Sequence, residues 1–251
     1  MAALDRINQR FYSSLGEEFS TTRLTPWPAW ARVMDRYTAT RKGAHPSDCI
    51  LDVGCGNGRF AAFVDARSGD NMTYMGLERS PVLAARARRG GNGARLVVSA
   101  DLVNAHLPLR RRSRHFDLIV AFGVLHHVPS WELRRSLLVE LAAHLRQDGM
   151  LAVSFWQFGA EQRFTGRVVD WTEFNETVTE PVEPRDLEPG DCLLRWGNGD
   201  AVRYCHFVDP VEAAELTAAS GLARVETFHG DGKGGRLNLY HLLQHPLPLD
   251  V

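Results

Sequence analysis

Three closely spaced glycines follow a short apolar run near residue 50. Residues 51–53 lead directly into Gly54, Gly56 and Gly58, which form a G-x-G-x-G turn, the glycine turn. A loop that passes its backbone close to a bound nucleoside needs glycine, because a Cβ atom would obstruct the ligand. Dinucleotide enzymes use G-x-G-x-x-G and aim the next helix at a pyrophosphate. The shorter spacing, with the acidic Asp52 before it, favours a cofactor that carries an ammonium and a sulfonium centre and no phosphate.

Two more acidic residues stand where the next two predicted strands end. Glu78 lies 24 residues after Gly54, and a carboxylate in this position can accept hydrogen bonds from both ribose hydroxyls. Asp101 follows the third strand and is placed to accept from an adenine amino group. A lone glycine triplet could be an ordinary tight turn, but three features at three successive strand ends predict a nucleoside site.

These residues need a parallel sheet to bring them together. We predict strands at 49–53, 72–77, 94–99, 116–122 and 150–155, with helices at 29–40, 59–67, from 81, and at 131–145. Alternating strands and helices with short links predict an α/β fold with helices on both faces of the sheet. Beyond residue 156 we predict a strand at 203–207, a helix at 210–220 and a last strand at 237–243. The acid-rich stretch 170–191 is interpreted as a solvated excursion over the sheet edge or the active site.

Composition limits the functional classes only weakly. A formal charge of −1 gives no global argument for nucleic acid or membrane. The arginines are bunched, which indicates either a solvated surface or a phosphate-binding face; the groups are Arg86, Arg88, Arg89 and Arg95, then Arg110, Arg111, Arg112 and Arg114, then Arg134 and Arg135. Four cysteines without zinc-type spacing predict a reduced cytoplasmic protein that holds no metal. No apolar stretch suits a secretory signal or a membrane span, so a soluble chain is expected.

The glycine turn, Glu78 and Asp101 together resemble the cofactor site of the class I S-adenosylmethionine-dependent methyltransferases, over roughly residues 45–160. The resemblance implies a Rossmann-like sheet of seven strands, mostly parallel with an antiparallel last strand, and in-line methyl transfer from the sulfonium to a nucleophile. It implies S-adenosylmethionine as cofactor, with these binding residues: Tyr12, Arg23, Asp52, Gly54, Cys55, Gly56, Gly58, Glu78, Arg79, Asp101, Leu102, Ala121 and Phe122. The loop 123–128 is similar to the one that packs on the methionyl part of the cofactor. His127 in this loop is interpreted as a hydrogen-bonded core residue, whereas His126 is either a helix-start residue or a catalytic one.

A narrower resemblance extends outside this core. Residues 19–28 (FSTTRLTPWP) are similar to the F-S-x-T-R-x-x-P-W-P segment of the Trm9-like tRNA wobble-uridine methyltransferases, which include the methyltransferase part of the ALKBH8 proteins. Residues 155–157, 190–196 and 203–207 resemble that family's later motifs in the same order. Cys205 and Arg195 depart from the family, which has an aromatic residue and a proline there.

This resemblance implies esterification of a carboxymethyl group on the wobble uridine of tRNA. A carboxylate is already nucleophilic, so catalysis would rest on in-line alignment rather than on a strong base. Arg203 would bind the acceptor carboxylate, since a guanidinium matches it bidentately. Trp27, Trp156 or Tyr204 would stack on the extruded base. Tyr12 and Arg23 are instead assigned to the carboxylate of the cofactor.

The acceptor, the partners and the domain organisation complete the expectations. The alternatives are a small-molecule O- or N-methyltransferase of secondary metabolism and a non-catalytic cofactor-binding scaffold. Transfer RNA would approach over the arginine-bearing elements, and eukaryotic members of the resembled family need a small zinc-containing activator. We expect one methyltransferase domain over 1–251, with an N-terminal cap (1–45), a cofactor-binding core (46–160), an insertion over the active site (161–210) and a C-terminal helix with strands (211–251).

Overall fold

The computed structural model describes residues 2–41, 48–68, 72–90, 95–101, 107–109, 116–197 and 199–247. Its helices are α1 (Ala2–Thr21), α2 (Ala29–Thr40), α3 (Arg59–Ser68), α4 (Pro81–Arg89), α5 (Trp131–His144), α6 (Gln162–Thr165), α7 (Trp171–Glu176) and α8 (Pro210–Ala219). Its strands are β1 (Asp48–Val53), β2 (Met72–Glu78), β3 (Arg95–Ser99), β4 (Phe116–Phe122), β5 (Leu145–Trp156), β6 (Val168–Val169), β7 (Asp191–Arg195), β8 (Val202–His206), β9 (Ala223–Gly230) and β10 (Asn238–Gln244). No helix among these residues is long and apolar enough to cross a membrane.

Seven strands form the large sheet in the order β3-β2-β1-β4-β5-β10-β9. The pairings from β3 to β5 are parallel, and β10 runs antiparallel to both of its neighbours. The predicted Rossmann-like sheet with an antiparallel last strand is therefore confirmed. Because parallel strands end at one edge, the loops after β1, β2, β4 and β5 meet there, and a ligand site is expected at this edge.

Helices cover both faces of the large sheet because successive strand residues point to opposite sides. Along β4, Ile119 contributes to the core under α5 and α8, whereas Leu118 and Val120 contribute to the core under α2, α3 and α4. All three side chains have no exposed surface. The near-continuous apolar run of β4 thus reflects a strand that is buried on both faces.

A second sheet of three antiparallel strands, β6-β7-β8, was not predicted beyond the strand near 203–207. The stretch 170–191 is mostly exposed, as expected for a solvated excursion, but it also contains α7 and the buried Val182. Leu4 and Ile7 of α1 pack on this sheet against Leu193. The strand β7 has few apolar residues and begins with the acidic Asp191, so its sequence shows no apolar alternation that would predict a strand.

Arg134 contradicts the expectation that the bunched arginines lie on the surface. It is 1% exposed and donates to Glu212 Oε1 (2.9 Å), Glu188 Oε2 (2.7 Å) and the Val128 carbonyl (3.1 Å). Glu212 also bonds His206 Nε2 at 2.8 Å. This ion-pair network joins α5, the start of β7 and α8.

We expect Arg134→Met to lower the free energy of unfolding by about 2 kcal/mol. Removing one partner of a buried ion pair commonly costs about 3–5 kcal/mol, but Glu188 and Glu212 keep some contact with water, which reduces the loss. Urea denaturation followed by circular dichroism measures the difference. Arg135→Met is the matched control, because the neighbouring Arg135 is partly exposed and its change should stay within about 0.5 kcal/mol. Equal stability of the two variants would contradict a structural role for Arg134.

Candidate functional site

A cavity of about 810 Å³ opens at the carboxyl edge of the large sheet. Its lining comes from the loops after β1, β2 and β4, from α1 and residues 22–30, and from α6, β7 and β8. We call the part lined by the β1 and β2 loops the cofactor half. The part lined by residues 22–30, His126, Trp156, α6, β7 and β8 is the acceptor half.

Glu78 organises the cofactor half. Its Oε2 accepts from the Gly56 amide at 2.9 Å and its Oε1 from the Ser80 amide at 2.7 Å. Burial raises the pKa of Glu78, and these backbone donors partly oppose that rise. Each carboxylate oxygen keeps a second lone pair, so Glu78 can hold the glycine turn and still accept from two ribose hydroxyls.

Asp52 lines the same half of the cavity and accepts from the Tyr74 hydroxyl. Burial raises its pKa to about 7, with a further rise from the nearby Glu78 and a decrease from the Tyr74 hydrogen bond. Among the described residues no cation bonds to Asp52, and a buried carboxylate in this situation favours a positively charged ligand. This suits the ammonium that the sequence predicts for the cofactor.

The glycine turn uses its glycines for different reasons. Gly54 and Gly56 line the cavity at φ of 70° and 57°, a region that favours glycine. Gly58 does not line it; a Cβ there would lie 3.0 Å from the Ala87 Cα atom, so Gly58 permits close packing of α4. Cys55 contributes to the lining of the cavity. Its Sγ points into the core and occupies space that a Cβ on Gly76 would need. The predicted contact of Gly58 with the cofactor is corrected accordingly.

Four other predicted cofactor residues divide between the cavity, the core and the undescribed part of the chain. Phe122 lines the cavity. Ala121 is fully buried in the opposite core cluster and does not line it, because adjacent strand residues face opposite sides. Asp101 lies outside the lining, with its Oδ1 3.6 Å from an Arg79 nitrogen, and Leu102 falls outside the described residues.

Contacts from the N-terminal segment close the cofactor half. Arg79, predicted to bind the cofactor, lines the cavity but donates through both terminal nitrogens to Asp5 of α1, one bond being 2.8 Å. Asn57 of the glycine turn donates to Ser20 Oγ and to the Arg23 carbonyl, both at 3.0 Å. Asp5 and Asn57 could not be identified from the sequence, because these contacts join residues 34 to 74 positions apart.

Two arginines dominate the acceptor half. Arg203 is 6% exposed, and its Cζ lies 4.9 Å from the Trp156 ring and 5.5 Å from the Trp196 ring. Within the described chain no carboxylate lies within salt-bridge distance of Arg203 or Arg23. Burial and the nearby Arg203 lower the pKa of Arg23 to about 9, and its Cζ lies 3.5 Å from the Phe19 ring. Two neighbouring guanidinium groups without counterions favour anionic ligands.

In the adjacent histidines His126 and His127, both ring nitrogens of His127 have hydrogen-bond partners, whereas one ring nitrogen of His126 has none among the described residues. His127 Nε2 lies 2.8 Å from the Tyr12 hydroxyl, and its Nδ1 lies 3.2 Å from both the Tyr204 carbonyl and Asn8 Nδ2. The carbonyl needs hydrogen on Nδ1 and the amide nitrogen needs Nδ1 to accept, so both ring nitrogens have partners in either tautomer. Burial lowers the pKa of His127 to about 3, so the ring is neutral, and burial raises the pKa of Tyr12. Burial also holds the pKa of His126 well below its usual value, and its Nδ1 has no partner. His126 is therefore a neutral side chain with a free ring nitrogen at the cavity.

Two of the three residues predicted to stack on the base line the cavity, and the third does not. Trp27 and Trp156 line the cavity, and Trp27 packs directly on Gly123. Tyr204 does not line it: the side chain is fully buried among Leu4 and Leu193, and its hydroxyl donates to Asp191 Oδ1 at 2.7 Å. The predicted stacking role of Tyr204 is thus corrected.

Several buried polar atoms in the cavity lining lack a partner among the described residues. Besides His126 Nδ1 they are Asn8 Oδ1, Trp30 Nε1, Trp196 Nε1 and Asn238 Oδ1. Buried polar groups are hydrogen-bonded in most native proteins, so such a group of atoms in one cavity indicates a polar ligand. The sequence did not single out Trp30 or Asn238, and Trp196 appeared only within the motif at 190–196.

Two groups of side chains have the chemistry of metal ligands. His126, His127 and Cys205 form one, and Glu188, Asp191 and His206 form the other. In the first group both nitrogens of His127 already have partners. In the second, the carboxyl of Asp191 and the ring of His206 bond each other at 2.7 Å. Hydrogen bonding within the protein accounts for both arrangements.

Comparisons with known proteins agree with this geometry. A profile described as "Methyltransferase domain" matches residues 51–151. A putative methyltransferase of Encephalitozoon cuniculi is 32% identical over 219 residues, covering 86% of this chain and 87% of that protein. The tRNA (carboxymethyluridine(34)-5-O)-methyltransferases of Arabidopsis thaliana and Saccharomyces cerevisiae are 26% and 29% identical over 68% and 59% of this chain. The matches span only 37% and 47% of those two relatives.

Solved structures share the fold at low sequence identity. An S-adenosylmethionine-dependent methyltransferase from Clostridium acetobutylicum has a TM-score of 0.63 at 11% identity, covering 95% of this chain and 99% of that one. An N-methyltransferase from Bradyrhizobium japonicum in complex with S-adenosyl-L-homocysteine gives 0.58 at 15% identity, with 94% and 99% covered. A putative methyltransferase in complex with the Haloferax volcanii Trm112 activator gives 0.58 at 13% identity, with 94% and 98% covered. The fold, the site and the extended match to a methyltransferase agree, and the chain belongs to the class I S-adenosylmethionine-dependent methyltransferases.

Proposed function

We propose that this enzyme methylates a carboxylate, namely the carboxymethyl group on the wobble uridine of tRNA. The observation that carries the proposal is the pair Arg23 and Arg203, which stand without counterions beside the cofactor half. Two carboxylates would neutralise them, one from the methionyl part of the cofactor at Arg23 and one from the acceptor at Arg203. The names of the Arabidopsis and yeast relatives support the same acceptor.

The chemistry needs alignment more than proton transfer. S-Adenosylmethionine, when bound, would supply the methyl group and leave as S-adenosylhomocysteine, so that a carboxylate acceptor would become an ester without losing a proton. The lowered pKa makes His126 a weak base, and methylation of a carboxylate needs none. His126 would instead position the acceptor through its unpartnered Nδ1. Arg203 fixes the nucleophile in line with the sulfonium, which is the main source of rate in a two-substrate transfer.

Aromatic side chains provide the surfaces for a base. Trp27 lies on Gly123 beside His126, and Trp156 lies between His126 (ring centroids 5.1 Å apart) and Arg203. Bases of single-stranded RNA are commonly held between aromatic rings and arginine planes. We propose that Trp27 and Trp156 form the walls for the extruded uracil.

The direct test uses labelled S-adenosylmethionine and tRNA whose wobble uridine carries an unesterified carboxymethyl group. We expect label in the tRNA that mild alkali releases as methanol, which is diagnostic of an ester. The assay is run with and without a Trm112-type activator, because such a protein accompanies one solved neighbour. Absence of transfer in both arms, together with transfer to a small-molecule carboxylate, amine or hydroxyl, would replace the tRNA proposal.

Cofactor affinity should depend on pH through Asp52. Only the ionised carboxylate attracts the cofactor's ammonium, so affinity rises as pH rises through the Asp52 pKa of about 7. Between about pH 6 and 7.5 we expect the Kd for S-adenosylmethionine to fall about eightfold, while the cofactor's own α-amino group stays mostly protonated. Calorimetry at several pH values measures this. Asp52→Asn should flatten the profile, whereas an unchanged slope would assign it to Glu78, whose pKa is also raised.

A further inference from the structure

In the described chain, acidic side chains line only the cofactor half of the cavity, whereas arginines line both halves, with Arg79 in the cofactor half and Arg59 just after the glycine turn. The described acidic residues of the lining, Asp5, Asp52 and Glu78, all belong to the cofactor half. The described arginines of the acceptor half are Arg23, Arg163, Arg167, Arg195 and Arg203. Arg23 and Arg203 are accounted for by two carboxylates, which leaves three positive charges without a role.

These three arginines form one group at the mouth of the acceptor half, which we call the arginine rim. Arg163, Arg167 and Arg195 are all exposed, in contrast to the buried Arg203. The Arg195 amide donates to the Arg167 carbonyl at 2.8 Å, and the Arg167 amide donates to the Phe164 carbonyl at 2.9 Å. The Cζ of Arg163 lies 4.7 Å from the Phe164 ring. The second sheet and α6 thus place the three residues side by side.

The rim is poorly neutralised by the protein itself. Arg163 has one acidic neighbour, Glu161, with Nε and Oε2 3.4 Å apart. In the described ranges no carboxylate is within salt-bridge distance of Arg167 or Arg195. Exposed arginines that face a cavity mouth without partners are suited to bind a polyanion.

We propose that the arginine rim binds the backbone phosphates on either side of the nucleotide whose base enters the cavity. The inference rests on the proposed function and adds the surface by which RNA is held. A small carboxylate acceptor would be satisfied inside by Arg203 and would leave the rim unused. A single strand that extrudes one base into an aromatic pocket, however, brings its adjacent phosphates to the pocket mouth.

This route for RNA differs from the one that the bunched arginines suggested. Arg134 is buried, Arg135 pairs with Glu132, and Arg86 pairs with Glu17. The group at 110–114 lies outside the described residues. Arg195 occupies the position where the resembled family has proline, so one rim charge comes from a departure from that family's pattern.

The test compares two triple variants of the full chain in RNA binding. One carries Arg163→Gln, Arg167→Gln and Arg195→Gln. The control carries Arg32→Gln, Arg36→Gln and Arg135→Gln, which removes three partly exposed arginines that pair with glutamates away from the cavity lining. The probe is an anticodon stem-loop RNA with a carboxymethyl uridine at the wobble position, and fluorescence anisotropy gives Kd as a function of salt. The Kd for S-adenosylmethionine checks that each variant is folded.

We expect the rim variant to lose about 1.4 units from the slope of log Kd against log salt, since each of the two single-strand phosphate contacts contributes about 0.7. The control should keep the wild-type slope. An unchanged slope in the rim variant, or an equal loss in the control, would overturn the assignment. So would displacement of the RNA by polyglutamate as readily as by unlabelled RNA, because the rim would then be a general site for acidic chains. Rim-dependent RNA binding without methyl transfer would refute the proposed function alone.

Discussion

Replacing Arg203 with alanine is expected to lower kcat/KM for the carboxylate acceptor about 100- to 1,000-fold. Losing one partner of a buried, hydrogen-bonded charge pair costs about 3–4 kcal/mol, and about 1.4 kcal/mol corresponds to a factor of ten. Arg203 lies in such a position, 6% exposed and stacked near Trp156 and Trp196. The Kd for S-adenosylmethionine should change little, because Arg23 is the group proposed to hold the cofactor's carboxylate. Steady-state kinetics with varied acceptor, together with cofactor titration, measures both quantities.

Two further variants sharpen the assignment. Arg203→Lys keeps the charge but lacks the planar two-pronged donor set, so we expect recovery of only part of the lost activity. Arg135→Ala, a change at a partly exposed arginine paired with Glu132, should leave the kinetics at the wild-type level. If Arg203→Ala weakened cofactor binding as strongly as acceptor use, Arg203 would hold the cofactor's carboxylate, and Arg23 would be the candidate for the acceptor.

The cofactor half of the cavity could be predicted from the sequence because short local features determine it. The glycine turn and Glu78 each follow a buried strand, and the parallel order of those strands brings their ends together. The hydrogen bond from the Gly56 amide to Glu78 is the direct consequence. By contrast, Asp5 reaches Arg79 from 74 residues away, and no pattern in either segment indicates that contact.

The acceptor half was less predictable for a geometric reason. Arg203 and Tyr204 are adjacent on β8, so their side chains point to opposite faces, and only one of them can face the cavity. The motif at 203–207 contains both residues, and it does not indicate which of the two side chains faces the cavity. The packing of α1 decides it, since Leu4 and Ile7 cover the face that carries Tyr204. Arg134 shows the same limit: the sequence predicted a surface position for it among the bunched arginines, and its burial depends on Glu188 and Glu212 from distant segments.

Glu78 is the residue whose loss should most weaken cofactor binding. It lies 8% exposed at the end of β2, where its two oxygens accept from the Gly56 and Ser80 amides. Alanine would remove the carboxylate that is proposed to bind the ribose and would also leave both amides unpaired at the wall of the cavity. Since a hydrogen bond to a charged group contributes about 1.5–3 kcal/mol, the loss of such a contact should raise the Kd about 10- to 150-fold.

The comparison of two ligands makes this prediction specific to the ribose. S-Adenosylhomocysteine has the same ribose and lacks the sulfonium charge, so Glu78→Ala should weaken both ligands by the same factor. Asp52→Asn should instead weaken S-adenosylmethionine more than S-adenosylhomocysteine if part of its effect comes from attraction to the sulfonium. Calorimetric titration of each variant with each ligand gives the four values. A Glu78→Ala enzyme that kept wild-type affinity for both ligands would show that the ribose is bound elsewhere, and Glu78 would then serve only to hold the glycine turn.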